Sequence, residues 1–275
     1  MNIDLHCHST TSDGLLEPSA VVARAAANGV AVLALTDHDD TGGLAAARAE
    51  AGARGMGFVD GVEISVSWQE ATLHVVGLRI DPDSVRLRTG LEWVRSTRIQ
   101  RAERIGEALE RAGVRGSLEG ALAYVGNPEI ISRTHFARFL VESGYARDVK
   151  NVFQRYLVKG KPGYVEHRWA SLGDAVSWIR ASGGVAVIAH PGRYGLDSAE
   201  LKGLIAEFKA CGGAGIEVVT GSHTPTQYRE FAGYARQFDL LASRGSDFHG
   251  DAGSRADLGI LPPLPGDLKP VWHDW

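Results

Sequence analysis

The stretch AVLALTDHDDTGGLAAARAEAGARG, residues 31–55, contains the repeating unit that decides the fold. Its first half is a short apolar run typical of a buried β-strand, and its second half is an alanine-rich helical stretch that ends at glycine. Asp37 and His38 lie between the two halves, where the strand ends. Strands that alternate with helices in this way indicate a mostly parallel sheet covered by helices.

The same strand-helix unit recurs on both sides of this stretch. NIDLHCH precedes a helical run that begins at Pro18 and ends at Gly29, and three further strand-like runs, VAVIAHPG, GIEVVTGSH and LLASRGSDFHG, each follow a helical run. GFVDGVEISVSW and ATLHVVGLRI form two more strands joined by a short turn. The strand count is nearer six or seven than eight, so we expect an α/β fold in the form of an incomplete or distorted barrel.

The middle of the chain, residues 88–166, is predicted to be all-helical and to interrupt the barrel formed by residues 1–87 and 167–275. Residues 95–168 contain 14 Lys and Arg against 8 Asp and Glu, whereas the rest of the chain is acidic and the net charge of the whole is −4. A basic segment in an acidic chain indicates either an anionic partner or a solvated helix face. The proline-rich tail LGILPPLPGDLKPVW is expected to lie extended along the surface.

Composition excludes some classes of protein. An apolar content of 44% with 23% charged residues is typical of a globular protein, and no apolar run is long enough to cross a membrane. The N-terminus shows no secretory signal, so we expect a cytoplasmic location, and Cys7 and Cys211 are expected to remain two separate thiols. No protein partner is inferred.

Histidines are concentrated where the predicted strands end. His6 and His8 are one residue apart, so strand alternation points both imidazoles to one side and Cys7 to the other. On its own this pair is either a metal half-site or two buried, hydrogen-bonded histidines. Six of the ten histidines occupy such positions, however, and three carboxylates accompany them. The nine donors are His6, His8, Asp13, His38, Glu63, His74, His190, Asp247 and His249. They are too many for one ion and fit two or three bridged divalent ions.

The motifs that carry these residues resemble those of the PHP (polymerase and histidinol phosphatase) superfamily. They are DLHCHS with TSDG, LTDHD, GVEIS, LHVVG, AHPGR and SDFHG. The resemblance covers roughly residues 1–85 and 170–260. It implies a distorted (β/α)7 barrel and a phosphoesterase site with up to three ions, of which manganese is favoured over iron or zinc. The implied sets are His6, His8, Glu63 and Asp247 for one ion, Glu63, His74 and His190 for a second, and Asp13, His38 and His249 for a third. Asp37 is expected to orient a ligand or its loop.

Further residues are candidates for binding and catalysis. His223, at another strand end, is either the proton donor to the leaving group or a phosphate-binding or structural histidine. Arg193 follows His190 by three residues and is expected to hold phosphate at the mouth. Ser132, Arg133 and His135 lie at a plausible helix start in the basic insertion, where they are predicted to bind a second anionic group of the substrate.

The helical insertion and its SRTHFA stretch resemble the branch of the superfamily that contains 3',5'-nucleoside bisphosphate phosphatases and 5'-to-3' exonucleases of short RNA. The resemblance implies removal of the 3'-phosphate from a 3',5'-bisphosphonucleotide, with the ions activating the attacking water and the insertion, as a substrate-binding cap, holding the 5'-phosphate. The alternatives are an exonuclease acting on short RNA, a histidinol phosphatase and, from a different class, a noncatalytic metal or nucleotide binder. A proofreading module is disfavoured, since no polymerase domain is attached.

Overall fold

The computed structural model describes residues 1–251 and 254–275, and it divides into two compact units. The first unit is Met1–Leu91 together with Trp169–Trp275, and the second is Glu92–Arg168. The inserted unit therefore begins four residues later and ends two residues later than the sequence suggested.

The described residues form eight strands in one sheet. They are β1 (Ile3–Asp4), β2 (Val32–Leu35), β3 (Gly57–Trp68), β4 (Ala71–Leu78), β5 (Ala170–Ser171), β6 (Val185–Ile188), β7 (Gly215–Thr220) and β8 (Leu241–Gly245). The hydrogen-bonded order is β1-β2-β3-β4-β6-β7-β8, with β5 paired to β3 on the side. The Leu5 amide donates to the carbonyl of Arg244 at 3.0 Å and so brings the first strand to the last. This nearly closed ring confirms the prediction of a distorted seven-stranded barrel.

The distortion has a specific source in the hairpin of β3 and β4. Strand β4 runs antiparallel to both of its neighbours, β3 and β6, whereas the other neighbouring pairs of the ring are parallel. A two-residue turn, rather than a helix, joins β3 to β4, and Gln69 in this turn has a φ of 50°. The barrel therefore lacks one covering helix at this point. The closed end of the hairpin extends beyond the residues of β3 and β4 that pair with β2 and β6.

The helices of the described residues follow the predicted stretches. They are α1 (Pro18–Ala27), α2 (Leu44–Ala53), α3 (Val85–Arg111), α4 (Ser117–Leu122), α5 (Arg133–Glu142), α6 (Val149–Val152), α7 (Leu172–Ala181), α8 (Ser198–Ala210) and α9 (Pro225–Gln237). Helix α1 begins at Pro18, whose missing N–H is harmless in a first turn, and Gly29 takes a φ of 74° just after its end. Capping boxes begin α8 and α9, where Asp197 and Thr224 accept hydrogen bonds from the first turn.

The barrel unit has an apolar layer on each side of its sheet. Outward-facing strand residues such as Leu33, Ile64 and Val218 are fully buried against the helices. A smaller cluster, which includes Ile3 and Val187, forms a second apolar layer. Because strand residues alternate between the two sides, a polar residue within a strand can reach the mouth while its neighbours remain in the core.

The C-terminal tail is more deeply buried than the sequence suggested. Val271 is only 1% exposed and packs in the same cluster as Ile3 and Val187, and its amide donates to the carbonyl of Ala242 at 2.9 Å. The expectation of a tail lying along the surface is therefore wrong for this segment. Its buried residues, among them Leu268 and Val271, could not be distinguished from their exposed neighbours, because an irregular segment has no periodicity from which burial can be deduced.

The inserted unit has a separate apolar core. Helices α3 to α6 contribute buried side chains, among them Ile105, Leu109, Phe136 and Leu140, and a π-helical turn over Phe153–Leu157 follows α6. Within the described part of the chain this unit contains no strand. A core of its own is what an inserted unit needs in order to keep a defined shape.

None of the helices in the described residues combines the length and the apolar character that crossing a bilayer demands. The cytoplasmic location stays a prediction. Cys7 and Cys211 are both free thiols.

Candidate metal centre

The barrel unit brings all nine candidate donors to one cluster. His6 and His8 follow β1, His38 follows β2, His190 follows β6, and Asp247 and His249 follow β8. Glu63 and His74 come from inside the antiparallel hairpin instead, and Asp13 comes from the loop after His8. Cys7 points away from this cluster, since it is fully buried in the apolar core and its thiol lies 3.2 Å from the carbonyl of Ala34. Strand alternation thus separates the two imidazoles from the thiol as the sequence predicted.

Glu63 lies at the centre of the cluster and contacts five histidines. Its Oε1 atom is 2.9 Å from His190 Nε2 and 3.1 Å from His74 Nδ1. Its Oε2 atom is 3.0 Å from His38 Nδ1 and 3.3 Å from the Nε2 atoms of both His6 and His8. Each carboxylate oxygen therefore faces a different set of imidazoles, which is the arrangement of a bridging ligand.

Asp13 and Asp247 border the cluster on the side of β8. His249 Nε2 lies 3.3 Å from Asp13 Oδ1, and His38 Nε2 lies 3.9 Å from the same oxygen. Asp247 Oδ1 is 3.4 Å from His8 Nε2 and 3.6 Å from His6 Nε2. At these separations the nitrogen and oxygen atoms face one another around a common space.

The donor atoms form overlapping groups within 4.8 Å, and these groups differ in part from the implied sets. The groups are His8, Asp13, His38 and His249; His6, His190 and Asp247; His6, His8 and Glu63; and His38, Glu63 and His74. His8 thus also joins the set predicted for the third ion, and His190 also joins His6 and Asp247. The nine residues form one continuous cluster, and their division among three ions stays a prediction.

The charges of the cluster suit cations. Burial raises the pKa of Glu63, but His74, His6 and His38 outweigh it and hold that pKa well below its usual range. Burial likewise opposes ionisation of Asp247, yet the neighbouring His8 and His6 keep its pKa well below normal. Burial lowers the pKa of His190 to about 3, so this imidazole is neutral and has a free electron pair. Ionised carboxylates and neutral imidazoles are the forms in which these side chains bind metal ions.

Several buried donor atoms of the cluster also need a partner. Among the described residues, Glu63 Oε2, Asp247 Oδ1 and His74 Nδ1 are buried and have no hydrogen-bond partner. Buried polar atoms without partners are costly, and native proteins rarely retain them unless an ion or water satisfies them. The nitrogen and oxygen donors present here fit divalent ions such as manganese, iron or zinc.

Asp37 forms hydrogen bonds with the loop that carries Asp13. Its two carboxylate oxygens accept hydrogen bonds from the Ser9 amide at 2.8 Å, the Ser9 hydroxyl at 2.7 Å and the Ser12 hydroxyl at 2.6 Å. The loop is thereby fixed next to β2, which supports the expectation that Asp37 orients a ligand or its loop.

Two predicted catalytic residues have contacts that bear on their roles. His223 Nε2 accepts a hydrogen bond from the Gly192 amide at 3.0 Å, and its Nδ1 atom lies 3.3 Å from the carbonyl of Val218. Burial lowers the pKa of His223 to about 4. A neutral ring that bonds to backbone at both nitrogens is poorly suited to donate a proton, so the geometry supports the structural alternative.

Arg193 lies beside the cluster. One guanidinium nitrogen donates to Asp247 Oδ2 at 2.9 Å, while about half of the side chain is exposed. The same guanidinium therefore holds a candidate ligand in place and presents further donors to solvent. A role in binding phosphate stays a prediction.

In the inserted unit, Ser132 and His135 form a capping box at the start of α5, in which His135 Nδ1 accepts from the Ser132 amide at 3.0 Å. The two residues therefore cap the helix, and the first turn is less open to an anion than the sequence suggested. Arg133 lies 5.6 Å from the centre of the Phe153 ring, and its Nη1 atom lies 3.4 Å from the carbonyl of Leu157.

The structure adds more basic residues around Arg133 than the sequence analysis singled out. Burial and the neighbouring Arg133 and Arg98 lower the pKa of Arg101 to about 9. Burial together with Arg101 and Arg104 lowers the pKa of His167 to about 4. Several guanidinium groups of the inserted unit thus act on one another electrostatically, and Arg104 Nη2 lies 3.4 Å from His167 Nδ1. The clustering was not visible in the sequence, because it joins α3 to residues some 60 positions later.

Two further residues of the barrel unit, not expected from the sequence motifs, contact predicted ligands. The Tyr194 hydroxyl accepts from the His74 amide at 2.9 Å and donates to the carbonyl of Ala189 at 2.7 Å. Glu217, in the middle of β7, contacts both His6 and His190. A carboxylate inside an otherwise apolar strand was the available signal for Glu217, whereas nothing in the sequence marked Tyr194.

A nearly closed barrel whose mouth gathers nine nitrogen and oxygen donors defines a barrel protein suited to bind divalent metal ions. The PHP domain family matches residues 4–163, which is more than half of the chain, and the chain belongs to this family.

Two relatives resemble the chain along nearly its whole length. A 3',5'-nucleoside bisphosphate phosphatase of Chromobacterium violaceum is 53% identical over 273 residues, which cover 99% of this chain and 96% of the relative. The 5'-3' exoribonuclease Rnm of Escherichia coli is 44% identical over 276 residues, which cover 99% of this chain and 93% of the relative.

Two solved structures also resemble the chain along nearly its whole length. A protein of Chromobacterium violaceum described as an amidohydrolase, with bound sulfate and no metal, is 52% identical and superposes with a TM-score of 0.96, covering 100% of this chain and 95% of that one. A protein of Bifidobacterium adolescentis described as a putative metal-dependent phosphoesterase is 26% identical with a TM-score of 0.81, covering 98% and 93%.

Proposed function

We propose that the protein is a phosphatase that removes the 3'-phosphate from 3',5'-bisphosphonucleotides and releases a nucleoside 5'-monophosphate and phosphate. The observation that carries this proposal is the cluster around Glu63, in which every predicted donor is present. The full-length similarity to a 3',5'-nucleoside bisphosphate phosphatase supplies the substrate class. A noncatalytic binder is disfavoured, because such a protein is expected to lack several of the donors.

We propose His6, His8, Asp13, His38, Glu63, His74, His190, Asp247 and His249 as the metal ligands. Divalent ions held there would lower the pKa of water and neutralise phosphate oxygens. Glu63 supplies an oxygen to each side of the cluster, and Asp37 fixes the loop that carries Asp13. Arg193 would hold a phosphate oxygen through the guanidinium nitrogens that do not contact Asp247. Manganese is the proposed ion, with iron and zinc as alternatives.

The second phosphate of the substrate would bind to the basic insertion. Arg133 and the neighbouring Arg98 and Arg101 repel one another, since each lies in the field of other guanidinium groups. A dianionic phosphate would relieve this repulsion and form charge-assisted hydrogen bonds. Ser132 and His135 would keep the start of α5 in the shape that presents Arg133.

The proposed activity predicts a clear order of substrates. With manganese, we expect kcat/KM for adenosine 3',5'-bisphosphate to exceed that for 5'-AMP or histidinol phosphate by roughly 10- to 100-fold. This ratio corresponds to the free energy of one strong charge-assisted hydrogen bond. Phosphate release from each compound at equal enzyme and metal concentrations measures this ratio. Equal rates for the three compounds would contradict the proposed specificity.

A second candidate activity is 5'-to-3' hydrolysis of short RNA, which the similarity to Rnm favours. Cleavage at the 3'-oxygen of a 5'-phosphorylated end requires the same two groups, a metal centre and a separate phosphate-binding site. Incubation with a 5'-phosphorylated RNA of a few nucleotides, followed by separation of the products, distinguishes mononucleotide release from inactivity on RNA.

Substitution of Arg133 by alanine is expected to weaken substrate binding and to leave the metal centre intact. The loss of one charged hydrogen bond to phosphate is expected to raise KM for the bisphosphate by roughly 10- to 100-fold. The matched control is Arg111→Ala in the same unit, because the Arg111 side chain is largely exposed and faces Glu107 on its own helix. Loss of metal from Arg133→Ala would instead assign a structural role to this arginine.

A further inference from the structure

Glu217 is a buried carboxylate within β7 that does not belong to the proposed ligands. It is 1% exposed, while its neighbours Ile216 and Val218 are fully buried in the core outside the barrel. Alternation along β7 therefore points the Glu217 side chain inward, toward the metal centre. A buried carboxylate in such a position requires partners that compensate its charge.

Each oxygen of Glu217 contacts a different proposed ligand. Oε1 lies 2.8 Å from His6 Nδ1, and Oε2 accepts from the backbone amide of His190 at 2.5 Å. These two ligands follow different strands, β1 and β6. Glu217 thus links two sides of the metal centre from a third strand.

The contact with His6 determines which ring nitrogen is free. The ionised carboxylate of Glu217 is an acceptor only, so in that form the short contact requires the hydrogen of His6 on Nδ1. In the neutral ring Nε2 then retains its electron pair, and this is the nitrogen that faces Glu63 Oε2 at 3.3 Å and Asp247 Oδ1 at 3.6 Å. Carboxylates that bind a ligating histidine in this way fix the tautomer and the ring orientation.

The contact with His190 stabilises an unfavourable backbone. His190 has a φ of 24°, in the region that favours glycine, and such a conformation persists only where the surroundings hold it. The hydrogen bond from its amide to Glu217 is such a restraint. In this conformation His190 Nε2 reaches Glu63 Oε1 at 2.9 Å.

We propose that Glu217 is a positioning residue that presets His6 and His190 for metal binding. The inference rests on the proposed metal centre and adds to it a carboxylate that binds no ion itself. Glutamine at this position has one acceptor oxygen for two donors, so one contact is lost or His6 adopts the other tautomer, with its hydrogen pointing at the ion.

The test is a calorimetric titration of the full-length, metal-free protein with Mn²⁺ alone. We expect Glu217→Gln to bind Mn²⁺ roughly 10- to 100-fold more weakly than the unmodified protein. The control is Glu207→Gln, because Glu207 accepts from the Trp68 indole at 2.8 Å and contacts none of the nine proposed ligands among the described residues. Excess Mn²⁺ should restore the turnover of Glu217→Gln, which a merely misfolded variant would not show. An affinity within twofold of the unmodified protein would overturn the proposal.

A second measurement does not depend on the folding of any variant. Long-range ¹H–¹⁵N spectra of the metal-free protein, with the His6 signals assigned through His6→Asn, report which ring nitrogen of His6 carries hydrogen. Hydrogen on Nδ1, either alone or with a second hydrogen on Nε2 in the protonated ring, supports the positioning role, and hydrogen on Nε2 alone overturns it. If the unmodified protein binds no Mn²⁺ at all, the proposed metal centre itself fails, and this result is distinct from equal binding by the two proteins.

Discussion

Glu63→Gln is expected to lose bound metal and phosphatase activity together. Glu63 contributes an oxygen to each side of the cluster and contacts His190 and His38 through different oxygens. An amide removes the negative charge and one of the two acceptors, so the ions that Glu63 is proposed to bridge would lose their shared ligand. Loss of charge stabilisation worth several kcal/mol corresponds to a fall in kcat/KM of roughly 1,000-fold or more.

The measurement combines metal analysis of the purified variant with its rate on adenosine 3',5'-bisphosphate. We expect at least one ion fewer per chain than in the unmodified protein. Glu207→Gln is the matched control, because it makes the same substitution at a carboxylate outside the cluster and should keep both metal and rate. Turnover that survives in Glu63→Gln would contradict the bridging role.

Removal of the ions by a chelator is the second change for which we expect a large effect. Treatment with EDTA and dialysis should abolish phosphate release, and added Mn²⁺ should restore it, since the proposed reaction depends on water whose pKa the ions lower. The metal-free protein buries the carboxylates of Glu63, Asp13 and Asp247, and Glu63 Oε2 and Asp247 Oδ1 have no hydrogen-bond partner among the described residues. Burial of such charged groups without an ion opposes folding until cations bind.

Metal binding should therefore also raise the thermal stability. Ligand present at 100 times its Kd adds about 2.7 kcal/mol per site, which for a chain of this size corresponds to a Tm increase of roughly 5–10 °C. Calorimetric scans of the chelated protein with and without Mn²⁺ measure the shift, and KCl at equal ionic strength controls for screening of surface charges. Full activity in protein that contains less than a tenth of an ion per chain would contradict a metal-dependent reaction.

The general fold could be predicted from the sequence because its signals are local. The run around Val32–Leu35 and the helix over Leu44–Ala53 are typical of their elements, and glycine ends the helix. The antiparallel course of β4 was not predictable in the same way. A short turn indicates a hairpin, but the pairing of β4 with β6 is a contact between segments about a hundred residues apart.

The candidate site was predictable to a similar extent. His6 and His8 share a side because strand alternation has a period of two, and their recurrence with Asp247 and His249 at another strand end indicated a common mouth. His223 occupies a similar position in the sequence, yet its ring bonds to Gly192 and Val218. Position at a strand end therefore indicates nearness to the mouth but does not determine which way a side chain points.

The sequence by itself determined the alternation of strands and helices, the basic character of the insertion and the set of residues able to bind metal. These depend on residue type and short-range periodicity, which folding does not alter. Only the tertiary structure decided that Glu63 contacts five histidines, that Glu217 links His6 to His190, and that Val271 is buried. Such contacts depend on distances between strands far apart in the chain, and those distances are set by the closure of the barrel.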